Sequence, residues 1–332
     1  MIMTSQSWLI FVSRSLFVGN HSDGKSSVTD PHTSIPCPND GGQVAFVLDL
    51  IALSPDRQGM TDSPTLVRRQ YVDGRFGQIH LRIAKPESNS GQIPLLCFHM
   101  SPNSSLIYQT FLGQIGTDRL AIAPDTPGFG ESDPPTSIPS ISDYAAAMTD
   151  VMDALDLKQV DVMGYHTGSE TCVELALQQP DRVRKLILTS APIFSEEELI
   201  GFRDHYGKPE LSEDGSHVAE KWKSYLHWAG PGWTMDHVAV QFADALRRPD
   251  ISWWGHSAAF DFPMKDKLSQ VTQPVLVLNP NDDLVEQSRR ADGIMQNGRI
   301  HELPDWGHGY LDIHTDEACA LVRGFLDSET AS

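Results

Sequence analysis

Three places in the chain set proton-handling groups directly behind apolar runs. His166 lies in "VDVMGYHTGSETCVELAL", pinched between Gly164 and Gly168 where a short apolar run gives way to a helical pattern. Asp282 and Asp283 close "PVLVLNPNDD", and His308 follows "GRIHELPDWG". A neutral imidazole can take and return a proton near neutral pH, and a carboxylate can fix its tautomer and steady the imidazolium. Two histidines and a carboxylate are also a legitimate ligand set for zinc or ferrous iron. None of the local spacings is diagnostic of a metal, and neither a metal nor another cofactor is expected.

These groups are far apart in sequence, so the fold must gather them. "VRRQYVDGRFGQIHLRIAK" reads as a β-hairpin hinged on Asp73-Gly74 and Gly77. Beyond it, short apolar strands ("PLLCFH", "RLAIAPD", the run ending at Gly164, "KLILTSAP", "PVLVLNP") alternate with helical stretches. Leu106 to Ile115 reads as one helix, and "ISDYAAAMTDVMDALD" as an amphipathic one capped by Ser142. The alternation implies an α/β fold, a mostly parallel sheet covered on both faces, whose reactive loops sit at the carboxyl ends of the strands. Between about Ile193 and Lys267 it stops. That segment holds Trp222, Trp228, Trp233, Trp253 and Trp254 and reads as an inserted helical cap, residues 193–267, over a core of residues 60–192 and 268–332. Aromatic side chains under such a cap, Trp253 and Trp254 among them, would favour an apolar substrate.

Composition narrows the classes. With 332 residues and a formal net charge of −19, the chain offers no basic footprint for nucleic acid or an anionic membrane. A small molecule is the expected partner, for a monomer or homodimer. The four cysteines show no metal or redox spacing, and Cys97 and Cys172 read as core residues. The cytoplasm is the expected compartment. Residues 1–59 carry an apolar patch, too short to span a bilayer and broken by Arg14, then a polar, turn-rich run and the isolated apolar stretch "QVAFVLDLIALS". They are expected to be disordered or a non-native extension, with Met60 as the working start.

From about Val67 to Asp327 the order of motifs resembles the α/β-hydrolase superfamily. "LLCFHMSPNSS" stands at the oxyanion loop, "AIAPDTPGFGESD" after the fourth strand, "GYHTG" at the nucleophile elbow, "NPNDDLV" at the acid loop and "PDWGHGYLD" at the histidine loop. The elbow motif matches a subgroup with Gly-Tyr-His-Thr-Gly in place of Gly-x-Ser-x-Gly. The resemblance implies a hydrolase with His308 as base and Asp282 as its orienting acid, Asp283 being the second choice. It also implies oxyanion donors from the backbone of Thr167 and Ser101, beside Met100 where glycine is usual. His99 and Asp125 read as loop anchors.

The elbow without its serine leaves several chemistries open. A tip residue there is expected at positive φ, which histidine tolerates better than most. His308 with Asp282 could activate water directly, His166 could attack as a covalent nucleophile, or the nucleophile could have moved to Ser101, with Ser104 or Ser105 less favoured. The expected reaction is cleavage of an acyl bond (ester, lactone or β-diketone C–C) in a small apolar molecule, by activated water or a relocated serine. A lyase or isomerase shuttling protons between two imidazoles is the alternative, as is a non-catalytic ligand-binding protein.

Overall fold

The structure, a computed structural model, describes residues 63–88 and 90–329. The expectations for residues 1–59 and for Met60 as the start lie outside the described residues.

The hairpin forms as its turn residues dictate. β1 (Arg68–Gly74) pairs antiparallel with β2 (Gly77–Ala84) in a register that sets Gly74 opposite Gly77. The short apolar runs become β3 (Leu95–Phe98), β4 (Ala121–Pro124), β5 (Val160–Tyr165), β6 (Val183–Thr189) and β7 (Val275–Pro280). The more polar β8 (Gly298–Leu303) closes the far edge. They build one eight-stranded sheet in the order β1-β2-β4-β3-β5-β6-β7-β8, parallel from β4 onward. β3, β4, β5 and β7 are buried along their whole length, as strands covered on both faces must be.

A 3₁₀ turn at Ser105–Tyr108 leads into α1 (Gln109–Ile115), where a single helix was predicted. α2 (Ile141–Ala154) starts on Ser140, not on the expected Ser142. Ser140 Oγ accepts from the Asp143 amide while the Asp143 carboxylate takes the Ser140 amide, so the capping box fixes the start two residues earlier. Ser142 instead accepts from Gln178 Nε2. α3 (Thr167–Gln178) follows β5 directly. Between β6 and β7 lie α4 (Glu196–His205), α5 (Ser216–His227), α6 (Met235–Ala245), α7 (Trp254–Phe260) and α8 (Met264–Leu268). α9 (Val285–Arg289), α10 (Tyr310–Ile313) and α11 (Thr315–Leu326) complete the chain. No helix among the described residues is long and apolar enough to cross a membrane.

Two apolar layers sandwich the sheet. One gathers Met148, Val151, Val173 and Leu175 against Leu96, Val162 and Leu188. The other gathers Phe111, Leu112, Val322 and Phe325 against Cys97, Met163 and Ile187. Cys97 and Cys172 are buried and unpaired, as expected of core thiols.

Candidate active site

Six loops leave the carboxyl edge of the parallel strands, and the chemistry gathers there. His99 follows β3, Asp125 follows β4, His166 follows β5, Ser190 follows β6, Asp282 and Asp283 follow β7, and His308 follows β8.

The elbow is built by close backbone approach. His166 adopts φ 48° and ψ −115°, the positive φ expected of the tip. Such a conformation costs on the order of 1–3 kcal/mol in a non-glycine residue, so its surroundings must hold it. The His166 amide donates to Thr189 O at 3.0 Å, and Ser169 Oγ–H is shared between Gly164 O and Thr189 O. A Cβ on Gly164 would lie 2.2 Å from Gly168 O, and one on Gly168 would lie 2.0 Å from Phe98 O. Both positions therefore require glycine, and the second brings the elbow against the loop of His99 and Met100.

Two loop anchors behave as the sequence suggested. His99 donates Nδ1–H to Met100 O at 2.9 Å and accepts at Nε2 from the Thr126 amide at 2.8 Å. Burial lowers its pKa, which suits the neutral tautomer those two bonds require. Asp125 accepts from the amides of Ser105 and Glu131 and from His80 Nδ1, each at 2.8 Å. Burial pushes its pKa up, but those bonds and the nearby His99 prevail and hold it at about 2.

At the centre, two imidazoles face two carboxylates. The His166 and His308 rings are 5.4 Å apart. His166 Nε2 lies 3.2 Å from Asp282 Oδ2 and 3.7 Å from Asp283 Oδ1, while His308 Nε2 lies 2.9 Å from Asp283 Oδ1. The sequence expected Asp282 to serve His308, and the geometry pairs them differently. Asp282 turns inward, where its Oδ1 takes the Leu284 amide at 2.9 Å and its Oδ2 takes Ser190 Oγ–H at 2.5 Å. That leaves Oδ2 facing His166, and the second-choice acid Asp283 meets His308. With Nε2–H given to Asp283, His308 Nδ1 lies 3.3 Å from the Tyr165 hydroxyl, whose one proton is shared between that nitrogen and Asp282 Oδ2 at 3.5 Å. Both nitrogens of His308 are thus engaged. Among the described residues, His166 Nδ1 makes no hydrogen bond.

Charge follows the geometry. Burial pushes both carboxyls up, but the facing imidazoles pull Asp282 and Asp283 below the ordinary value. Burial likewise lowers His308, and its bond to Asp283 with the charge of both aspartates raises it above the usual histidine value.

The other expected site residues fall in three groups. Thr167 opens α3 beside the tip, where a first-turn amide has no intrahelical partner and can serve as a donor. Ser101 directs its hydroxyl at α7: a Cβ on Gly255 would lie 1.9 Å from Ser101 Oγ. Among the described residues it bonds to neither histidine, and half-buried Met100 packs on the apolar layer of Tyr165 and Tyr310. Trp253 donates Nε1–H to Asp250 O, and neither it nor Trp254 makes a ring contact with the histidines among the described residues. The tryptophan at the site is Trp228, its ring 6.3 Å from His308, with Ala229 joined to His308 by a β-bridge. A Cβ on the next residue, Gly230, would lie 2.2 Å from His308 O.

Sequence reading missed Tyr165, Ser190 and His256, and named Trp228 only as one of five cap tryptophans. His256 is half-buried on α7 and stacks on Tyr206 at 4.6 Å; the loss of solvent around its ring, with the charge of His166, drops its pKa to about 4. Only Tyr165, adjacent to the elbow tip, carried a positional hint.

A parallel sheet whose carboxyl edge bears a strained strand-to-helix elbow, an acid loop and a histidine loop has the layout of a hydrolase built on α/β architecture. The comparisons agree: the family model for the alpha/beta hydrolase fold matches residues 93–309, and the chain belongs to that family and is a hydrolase of that fold. It is similar to the 2-hydroxy-6-oxo-2,4-heptadienoate hydrolase of Pseudomonas putida, 26% identical over 238 residues, 67% of this chain and 83% of that protein. The poly(3-hydroxyalkanoate) depolymerase of Ectopseudomonas oleovorans is 26% identical over 283 residues, 80% of this chain and 94% of that one. Among solved structures, the enol-lactonase of Burkholderia xenovorans LB400 superposes with a TM-score of 0.66 at 17% identity, over 78% of this chain and 100% of that one, a likeness of fold.

Proposed function

We propose that this hydrolase cleaves an acyl bond in a small, fairly apolar molecule by direct attack of water, with His166 as the base and Asp282 as its orienting acid. The observation that carries this reading is the tautomer the contacts impose. His166 gives Nε2–H to the buried Asp282 carboxylate, which leaves the Nδ1 lone pair open, whereas both nitrogens of His308 are engaged. The hydroxyl of Ser101, the candidate for a relocated nucleophile, lies against Gly255, which favours water over that serine.

In the proposed step, Nδ1 of His166 takes a proton from water as its oxygen bonds to the substrate carbonyl carbon. The carbonyl electron pair moves to oxygen, where the amides of Thr167 and Ser101 can donate. Collapse of the tetrahedral species breaks the acyl bond, and His166 returns the proton to the leaving group. An ester, a lactone and a β-diketone all fit, because each passes through such an oxyanion. The names of the relatives, an oxo-dienoate hydrolase, a polyester depolymerase and an enol-lactonase, all denote carbonyl substrates.

The test pairs turnover with trapping. A panel of 4-nitrophenyl esters, enol lactones and β-diketones identifies a turned-over class, and His166→Ala should lower its kcat about 10²- to 10⁴-fold. Rapid-quench mass spectrometry of the intact chain should show no acyl adduct. A stoichiometric adduct on Ser101 or His166 overturns direct attack by water.

A further inference from the structure

We propose that His166, Asp282, Asp283 and His308 together bind one divalent transition-metal cation of the zinc type, a departure from the metal-free site expected from the sequence. The inference rests on the same cluster as the proposed hydrolysis and adds a second state to it: with Nε2 bound to an ion, His166 carries its proton on Nδ1 and no longer serves as the base, and activation of water passes to the ion.

The geometry comes first. One ligand atom from each of the four residues lies within 4.8 Å of every other. Metal–ligand bonds of about 2.0–2.2 Å set neighbouring ligand atoms about 3.3–3.6 Å apart in a tetrahedral site. The contacts of 2.9, 3.2 and 3.7 Å across the two histidines and two aspartates bracket that spacing. Both imidazoles turn Nε2, the same nitrogen, toward the carboxylates. An N₂O₂ donor set suits a first-row ion such as zinc better than magnesium or calcium, which prefer oxygen alone.

Charge balance points the same way. Two adjacent aspartates face one centre, and among the described residues their ion-pair partners are histidines, not lysine or arginine. The cluster holds two carboxylates in a largely enclosed position, and a cation that took the imidazole lone pairs would leave both of their charges to be met by the ion. A divalent cation would neutralise both.

The surrounding shell is also in place. Asp282 is held by Ser190 Oγ–H and the Leu284 amide, and His308 Nδ1 meets the Tyr165 hydroxyl, the kind of outer partners that orient metal ligands. Ser190 reaches Asp282 from a positive φ of 54°, a strained backbone placed where it orders a carboxylate. The side chains of His166, Asp283 and His308 keep 14%, 26% and 12% exposure, so the cluster stays open on one side. An ion there would supply a Lewis acid and make a nearby water more acidic.

Metal-stripped protein titrated with Zn²⁺ in equilibrium dialysis should take up one equivalent per chain, and Co²⁺ in its place should give visible d–d bands. Asp283→Asn, which keeps side-chain volume, should weaken uptake at least 100-fold; Ser190→Ala should weaken it about 10- to 100-fold, as loss of an outer-shell partner does. His237→Ala, outside the cluster, should leave it unchanged. Equal zinc uptake by wild type and by a folded His166→Ala/His308→Ala variant overturns the site, as does no uptake by wild type at all. Activity that survives chelation in a zinc-free enzyme overturns the assisting role and leaves the imidazole route standing. One bound zinc with no turnover anywhere in the substrate panel counts against the proposed hydrolysis and not against the site.

Discussion

Asp282→Asn separates the two histidines as bases. In the native site, Asp282 Oδ2 accepts Nε2–H from His166 at 3.2 Å, Ser190 Oγ–H at 2.5 Å and a weak contact from the Tyr165 hydroxyl at 3.5 Å. Asparagine keeps the shape but can turn an amide N–H toward His166 Nε2. Accepting that bond moves the imidazole proton to Nδ1, the nitrogen that must be empty to receive one from water. Comparable tautomer inversion in a serine-protease triad lowers kcat by about 10⁴, and a loss of 10³ to 10⁴ here corresponds to about 4–5 kcal/mol of barrier. Asp283→Asn removes the bond to His308 and only a longer, 3.7 Å approach to His166, and, assayed in zinc-free buffer, should cost no more than about tenfold, roughly 1.4 kcal/mol. The assay is kcat and kcat/KM on the best 4-nitrophenyl ester, with urea unfolding of both variants to confirm a folded chain. If Asp282→Asn stays within threefold of wild type while Asp283→Asn abolishes turnover, His308 is the base and the assignment made here is wrong.

Three further outcomes follow. Ser101→Ala should keep kcat within about threefold and the wild type should resist fluorophosphonate labelling, because the hydroxyl points at Gly255; a labelled Ser101 or a loss beyond a hundredfold refutes this. Gly168→Ala forces a Cβ to within 2.0 Å of a backbone carbonyl and should destabilise the chain by about 3 kcal/mol or more, read as a lower urea midpoint; an unchanged midpoint would show that the elbow can relax. Asp125 titrates at about 2 in the folded chain against 3.8 ordinarily, so its contribution of about 2 kcal/mol is complete above pH 5 and is lost as pH falls toward 2. Asp125→Asn should be less stable at pH 7, and the gap to wild type should narrow in acid; a gap that is constant with pH removes the electrostatic explanation.

Much of the fold was legible because its signals are local. Asp73-Gly74 and Gly77 mark the hairpin, and unbroken apolar runs such as Leu95–Phe98 mark strands buried on both faces. The elbow could be read from Gly164 and Gly168, since only close backbone passage demands glycine at both. The choice between Asp282 and Asp283 was not legible. Neighbouring residues just past a strand end point different ways, and which one faces which imidazole depends on the Leu284 amide and Ser190, the latter 92 positions away. Ser190 itself looks like any polar residue closing a strand until its positive φ is seen. The tryptophans failed for a similar reason: Trp228 reaches the site through the bridge at Ala229, a pairing between segments 79 positions apart (308 minus 229) that no periodicity encodes.

That bridge bears on His308 itself. The strand-like pairing of Ala229 with His308, and the seating of Gly230 on the His308 carbonyl, fasten the end of α5 to the loop that carries one of the two imidazoles. Because the bridge fixes backbone to backbone, any displacement of α5 would either break this clasp or shift His308 relative to Asp283. The placing of one imidazole is thereby written partly in a helix that carries none of the four cluster residues.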